Sequence, residues 1–239
     1  MEIQITPLYE LLIYLEDKKS IAPKDLEKWG KNVSRGILGK MEAMDLIVKE
    51  NVTGEVKITL SKKGYLFLNS ILDALHKSIV HWDGKWRIVW FSIPESRRPI
   101  RDKFRRTLES IGMRPVLGSL WISPLSVGGE VVSCARKFGI YEKVIYIETD
   151  HVEGLSQSQI LSAWDFDKYK QYYEGFIEKA DQFIGRKQEG DSRMYLKKLI
   201  FEYALILNNE PNLPIELFPN DWPKFRAQLM YKKIRRRLS

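Results

Sequence analysis

The chain has 239 residues, 44% hydrophobic and 29% charged, with a net charge of +8. This composition suits one to three folded domains and excludes a disordered chain; no apolar run nears the roughly 18 residues of a membrane span, the acidic amphipathic start MEIQITPLYELLIYLED is not a signal peptide, and a single cysteine, Cys134, excludes a disulfide framework. A cytoplasmic protein with no membrane partner is expected, and the basic balance favours a polyanionic partner.

Over residues 6–17, Leu8, Leu11, Leu12 and Leu15 recur at helical spacing, with Thr6 able to cap the helix and Pro7 suited to its first turn. Residues 23–29 predict a second helix. A third runs over about 33–44, capped by Asn32, with Val33, Ile37, Met41 and Met44 facing inward. Opposite them lie Arg35, Gly39 and Glu42, flanked by Lys31, Ser34 and Lys40, a small and mostly basic surface that another backbone can approach closely. Residues 47–50 and 56–60 are β-prone and separated by 51–55, the pattern of a hairpin, and Ser61 caps a helix reaching about His76.

Three helices, a hairpin and a fourth helix make the winged helix-turn-helix order, in which the third helix enters the DNA major groove. The candidate DNA-binding residues are therefore Lys31, Ser34, Arg35 and Lys40 on that helix, with Lys49 and Lys57 on the hairpin placed to reach phosphate. The same elements also build protein-interaction modules, so a non-catalytic scaffold is the alternative. Residues 1–76 carry 11 basic and 11 acidic side chains, yet positions 28–41 hold Lys28, Lys31, Arg35 and Lys40 and no acid. Phosphate contact requires a local patch, not a basic domain.

Residues 77–84 read as a linker whose Trp82 calls for packing. Residues 85–93 alternate, with Trp86, Ile88 and Trp90 on one face and Val89, Phe91 and Ile93 on the other, so this strand belongs in the middle of a sheet. Pro94 stops it. Ile100, Phe104, Leu108 and Ile111 mark a helix opened by Pro99 and closed by Gly112. Strands at 113–117 and 120–123 join through the tight turn Gly118-Ser119, and a helix over 127–138 and a strand over 143–148 follow. The order β-α-β-β-α-β is ferredoxin-like, and the chain as a whole is of the α+β class. Its first helix is densely basic, with Arg97, Arg98, Arg101, Lys103, Arg105 and Arg106 against Asp102 and Glu109, a solvated face or a supporting phosphate contact.

Beyond about Asp150 the pattern is helical, over 157–163, 166–184, 192–207 and 223–238. Asp165 caps the second of these helices; the pair it forms with Asp167 has no further ligand cluster and no Gly-rich cradle nearby, so no metal is expected. His76, His81 and His151 lack metal spacing and nucleophile partners, so neither catalytic residues nor a cofactor are expected. The closing run Lys232, Lys233, Arg235, Arg236 and Arg237 suits a helix C-terminus.

Three stretches carry a family resemblance. The run WRIVWFSIPESRRPIRDKFRRTLESIGM, with LWISP after it, resembles the central domain of PaaX-type transcriptional repressors, named for control of phenylacetic acid catabolism. That domain in turn looks like the small ferredoxin-like nuclease of CRISPR spacer acquisition. LSAWDFDKYKQYYEGFI and NLPIELFPNDWPKFRAQLMYKKIRRRL resemble the family's C-terminal signatures. The resemblance implies a homodimer that binds double-stranded operator DNA through a winged helix at 1–76, followed by a linker at 77–84, a central dimerisation or regulatory domain at 85–150 and a helical domain at 151–239. It implies repression relieved by an aryl- or acyl-CoA effector such as phenylacetyl-CoA. A divergent metal-dependent nuclease is the remaining alternative, and one position tells against it. The nuclease's metal-binding aspartate falls on Ser92, whose hydroxyl does not replace a carboxylate as a ligand for a hard divalent cation.

Overall fold

The computed structural model describes residues 5–29, 31–52, 54–185 and 192–238, with 27–29 and 31–34 described by backbone only. In chain order the elements are α1 (Pro7–Lys18), β1 (Ser20–Ile21), a 3-10 turn (Pro23–Trp29), α2 (Lys31–Ala43), β2 (Ile47–Val52), β3 (Glu55–Leu60), α3 (Lys62–Leu72), β4 (Trp86–Phe91), α4 (Arg98–Ser110), β5 (Arg114–Leu117), β6 (Leu120–Ser123), α5 (Gly128–Lys137), β7 (Val144–Thr149), α6 (Gln157–Leu161), α7 (Phe166–Gly185), α8 (Ser192–Asn209) and α9 (Lys224–Leu238). The class is α+β, with two antiparallel sheets. Two compact units form, neither continuous in sequence: Met1–Lys77 gathers with Tyr169–Glu210 and Pro223–Ser239, and Ser78–Lys168 gathers with Pro211–Trp222.

In the first unit α1 buries Leu11, Leu12, Ile13 and Leu15. Pro7 occupies its first turn as expected, but Thr6, though extended at the N-cap position, makes no side-chain cap bond. Residues 23–29 form a 3-10 helix and not an α-helix. The α2 helix begins at Lys31, so Asn32 lies inside it and does not precede it as a cap. Met41 on its inner face is fully buried, with Ile37 and Met44 half-buried beside it.

The exit of α2 is held by α3. Asp45 takes a left-handed conformation (φ 56°), the Leu46 N–H donates to the Met41 carbonyl (2.8 Å), and Ser61 Oγ donates to the Asp45 carbonyl (2.5 Å) while accepting the Gly64 N–H (2.9 Å). Gly64 sits so close to the Leu46 carbonyl that a Cβ there would collide with it. The hairpin of β2 and β3 leaves from this clasp in the register Ile47↔Leu60 to Val52↔Glu55, and β1 adds a third strand through Ser20↔Thr59.

A row of ion pairs joins α1 to α8. Lys197 Nζ lies 2.6 Å from Glu16 and 2.8 Å from Asp17, Arg193 Nε lies 3.0 Å from Asp17, and Lys198 pairs with Glu10. Burial alone pushes the Asp17 and Glu16 carboxyls up, but the hydrogen bonds and charges of Lys197, with Arg193 on Asp17 and Lys19 on Glu16, outweigh it and hold both below their ordinary values. Tyr203 on α8 stacks against Phe176 of α7 and Tyr231 of α9, each at 5.1 Å.

In the second unit the strand order is β5-β6-β4-β7, so β4 is central, as its two apolar faces require. Val89 and Phe91 pack under α4 and α5 with Phe104, Leu108 and Val131. On the other face Trp86 and Ile122 are covered by Ile160, Trp164, Leu213 and Leu217. Residues 78–84 are built into this unit: the Trp82 ring lies 5.3 Å from Trp86, its Nε1 donates to the Lys85 carbonyl, and the Val80 carbonyl accepts the Ile215 N–H at 2.9 Å. Arg87, almost fully buried, donates to Asp83, whose carboxyl that bond lowers to about 2.

Two expectations follow. Lys197→Met removes a largely buried partner of two carboxylates and should destabilise the first unit by about 2 kcal/mol at neutral pH. Because the native carboxyls are acidified, the unfolded chain binds more protons near pH ~4, so this contribution is present above that value and fades on further acidification. The deficit of the variant against wild type, read by thermal unfolding, should therefore shrink in acid. Gly64→Ala should lower stability by about 1–3 kcal/mol through collision with Leu46, despite the better helix propensity of alanine; a gain would show that α3 can shift freely.

Candidate nucleic-acid interface

Each of the six predicted site residues has a place in the first unit. Lys31 and Ser34 lie in the first turn of α2, with their side chains outside the described residues. Arg35 and Lys40 are exposed on the same helix, and neither pairs with an acid among the described residues. Between them Gly36 and Gly39 face open space, where an added Cβ would meet nothing within 4 Å. A glycine inside a helix costs about 1 kcal/mol relative to alanine, and here no packing within the chain requires it.

Lys49 and Lys57 are not equivalent. The register sets Lys49 opposite Ile58 and Lys57 opposite Glu50, which puts the two lysines on opposite faces of the hairpin. Lys49 turns toward the end of α2 and pairs with Glu42, the acid that ends the exposed face of that helix. The structure thus brings Lys49 beside α2 and sets Lys57 on the other side of the hairpin. The Glu42–Lys49 pair, half-exposed on both sides, contributes less than about 1 kcal/mol and leaves Lys49 available to a competing anion. This pair was not legible in the sequence, since Glu42 and Lys49 belong to different elements and share no periodic signal.

Five acids of the neutral N-terminal segment are engaged away from α2, while Glu50 and Glu55 stay exposed on the hairpin. Glu10, Glu16 and Asp17 are engaged by α8, Asp45 by Lys63, and Asp25 accepts the Ala22 N–H. What α2 presents outward is Arg35, Gly36, Gly39 and Lys40, with the hairpin beside it. Such a face can hold a duplex: guanidinium and ammonium groups for phosphate or base edges, and small residues that let the helix backbone approach the groove.

Outside this face, much of the basic run on α4 serves its own unit. Arg97 donates to the Phe138 and Gly139 carbonyls, Arg98 and Arg101 pair with Glu95, and Lys103 stands over the Phe138 ring. Ser92 follows β4 with its N–H donating to the Lys143 carbonyl. Asp165 accepts the Lys168 N–H at 3.3 Å and so caps α7 as its position predicts. Among the described residues no three His, Cys, Asp or Glu side chains gather as a metal site, and no helix is long and apolar enough to cross a membrane.

Comparison with known proteins matches residues 80–161 to the PaaX protein central Cas2-like domain and residues 164–239 to the PaaX-like protein C-terminal domain. The fold is similar to that of an uncharacterized protein, Rv0674, from Mycobacterium tuberculosis, with a TM-score of 0.54 at 15% identity over 95% of this chain and 93% of that one. No curated protein matches in sequence. With both PaaX domains side by side in one chain, and the Cas2-like one built on the sheet order observed, this protein belongs to the PaaX family.

Proposed function

We propose that this chain is a PaaX-like, sequence-specific DNA-binding transcriptional repressor, non-enzymatic and cytoplasmic, in which α1 to α3 with the β2–β3 hairpin act as a winged helix-turn-helix. The observation that carries this reading is the outward face of α2: two cations flanking two glycines, the cations without an acid partner and the glycines without a packing neighbour among the described residues. A helix of that composition suits insertion into a major groove, with Lys31, Ser34 and Arg35 near its N-terminus meeting base edges and Lys40, Lys49 and Lys57 meeting phosphate. In this role a homodimer would read two half-sites about 34 Å, one duplex turn, apart. Release by an aryl- or acyl-CoA effector such as phenylacetyl-CoA, which requires the effector to prefer one dimer geometry, completes the reading.

Support for a homodimer comes from the sheet of the second unit. Trp90, Ile145, Ile147 and Leu117 lie on the face of Trp86 and Ile122, beyond its covered part, at 45, 50, 48 and 61% exposure, and β7 is an edge strand. Adjacent large apolar side chains left in water are the usual mark of an interface, and a twofold axis lets one patch cover its own copy.

Selection of bound duplexes at fixed salt tests the DNA reading. Arg35→Ala should then cost about 1–3 kcal/mol on the selected site and relax discrimination at one position, whereas Lys57→Ala should weaken all sequences alike and reduce the salt slope by about one. Gly39→Ala separates binding from folding: thermal stability should rise by up to ~1 kcal/mol while duplex affinity falls. Unchanged affinity in both Arg35→Ala and Gly39→Ala would remove α2 from the interface and favour the protein-interaction scaffold. For the assembly, Ile145→Lys should convert dimers to monomers in sedimentation equilibrium; a variant that sediments as wild type places the interface elsewhere.

A further inference from the structure

One buried donor in the second unit has nothing to donate to. Trp121, at the middle of β6, is 3% exposed, and its indole Nε1 has no hydrogen-bond partner among the described residues. Its cross-strand neighbour on β5 is Pro115, which offers no N–H and leaves the strand edge there without a donor of its own. A buried, unsatisfied N–H is rare in native proteins and signals a missing acceptor.

The place for that acceptor is a cleft of about 310 Å³ between α4 and the β5–β6 pair, lined by Trp121, Pro115, Arg105, Arg106, Asp102 and Glu109. Arg105 lies over the Trp121 ring, its guanidinium carbon 5.8 Å from the centroid, and Arg106 is exposed beside it. Of the two acids, Asp102 is already drawn to Arg98 at 3.8 Å. The lining itself is balanced, Arg105 and Arg106 against Asp102 and Glu109, and Arg98, which Asp102 shares with Glu95, draws on one of its two acids. The cleft is thus bordered by the Trp121 side chain, held by the core, and by two guanidinium forks on an exposed helix. A carbonyl compound would satisfy the indole but not the arginines. A tetrahedral oxyanion satisfies both, because its several oxygens can accept from a fork and from the N–H at once.

We propose that this cleft binds a phosphate group, with Trp121 Nε1 as the buried donor and Arg105 and Arg106 as the clamp. Arg105 covers the indole until the ligand arrives, then turns from the ring to the phosphate. The site lies in the Cas2-like domain, apart from the α2 face, and does not depend on the DNA-binding reading of that face.

Thermal unfolding of the full chain in phosphate and in chloride of equal ionic strength tests it, with Trp121→Phe and Arg106→Gln beside the wild type. General salting-out stabilisation by phosphate is common to all three proteins, so the readout is the difference between them. In chloride, Trp121→Phe removes the unsatisfied donor but also part of a buried indole, so its melting temperature there serves only as the baseline for its own shift in phosphate. In phosphate, the wild type should gain an additional upward shift that both variants lose, and phosphate titration by calorimetry should show at least about tenfold weaker binding in each, the effect of one lost charge-assisted hydrogen bond. A short duplex in place of phosphate separates the sources: weakened duplex binding in both variants with no response to inorganic phosphate assigns the site to a nucleic-acid backbone, and a response to phosphate alone assigns it to a free phosphorylated compound. Equal shifts in all three proteins with duplex binding unaltered would overturn the proposal.

Discussion

The row of ion pairs between α1 and α8 is the constraint on which the first unit rests. The hairpin, α2 and α3 together are too small to bury α1 on all sides, and α1 is apolar enough to need burial: Leu11, Leu12 and Leu15 have almost no exposure. α8 supplies the missing wall, with Phe201 against Tyr9 at 5.2 Å, and Lys197 on Asp17 and Glu16 fixes which face of α8 meets which face of α1. Apolar packing alone tolerates sliding, because its energy follows area and not direction. Charge pairs with a largely buried Lys197 do not, since any slip would leave a carboxylate without its partner in a poorly solvated position.

This arrangement also resolves the charge balance of the N-terminal segment. Eleven acids against eleven bases look unpromising for contact with a polyanion. Folding sorts them. Three acids of α1 are paired with cations that come from α8, so the α2 side keeps Arg35 and Lys40 beside the Lys49–Glu42 pair, while the other face of the hairpin carries Lys57 opposite Glu50. A local field decides phosphate contact over distances of about a Debye length, roughly 8–10 Å, and the acids on the far side of α1 are paired. The clasp of Asp45, Ser61 and Gly64 then sets how the hairpin leaves α2, and with it which lysine of the hairpin lies next to the helix.

Much of this was legible before any coordinates. The central place of β4 follows from its two apolar faces, the Ser61 cap and the two-residue turn at Gly118-Ser119 from local chemistry, and the inward stripe of α2 from its period. Other features carry no such signal. β1 is two residues long, below the length at which alternation can be seen. Lys49 and Lys57 looked alike because their faces depend on the hairpin register, and a turn one residue longer or shorter would reverse one of them. The ion-pair row joins residues more than 170 positions apart, and charges on separate amphipathic helices do not announce their partners. For the same reason, sequence order places α7 to α9 in a C-terminal domain, whereas in space most of their length shares a compact unit with residues 1–77.

The second unit joins a ferredoxin-like sheet to a strongly basic α4. Its sheet order is the ferredoxin-like one of a Cas2-like domain, but the position after β4 where a carboxylate would hold a divalent cation is Ser92, and the nearest acid along the chain, Glu95, is taken up by Arg98 and Arg101. A hydroxyl and an ion-paired carboxylate make a poor ligand set for a hard cation, which needs several oxygen ligands free to turn toward it. The α4 helix carries more arginine than its own acids can pair, and Arg105 and Arg106 line a cleft with Trp121, whose indole N–H has no acceptor among the described residues. A four-stranded sheet, a partly uncovered apolar face and a basic helix are properties that suit a binding module.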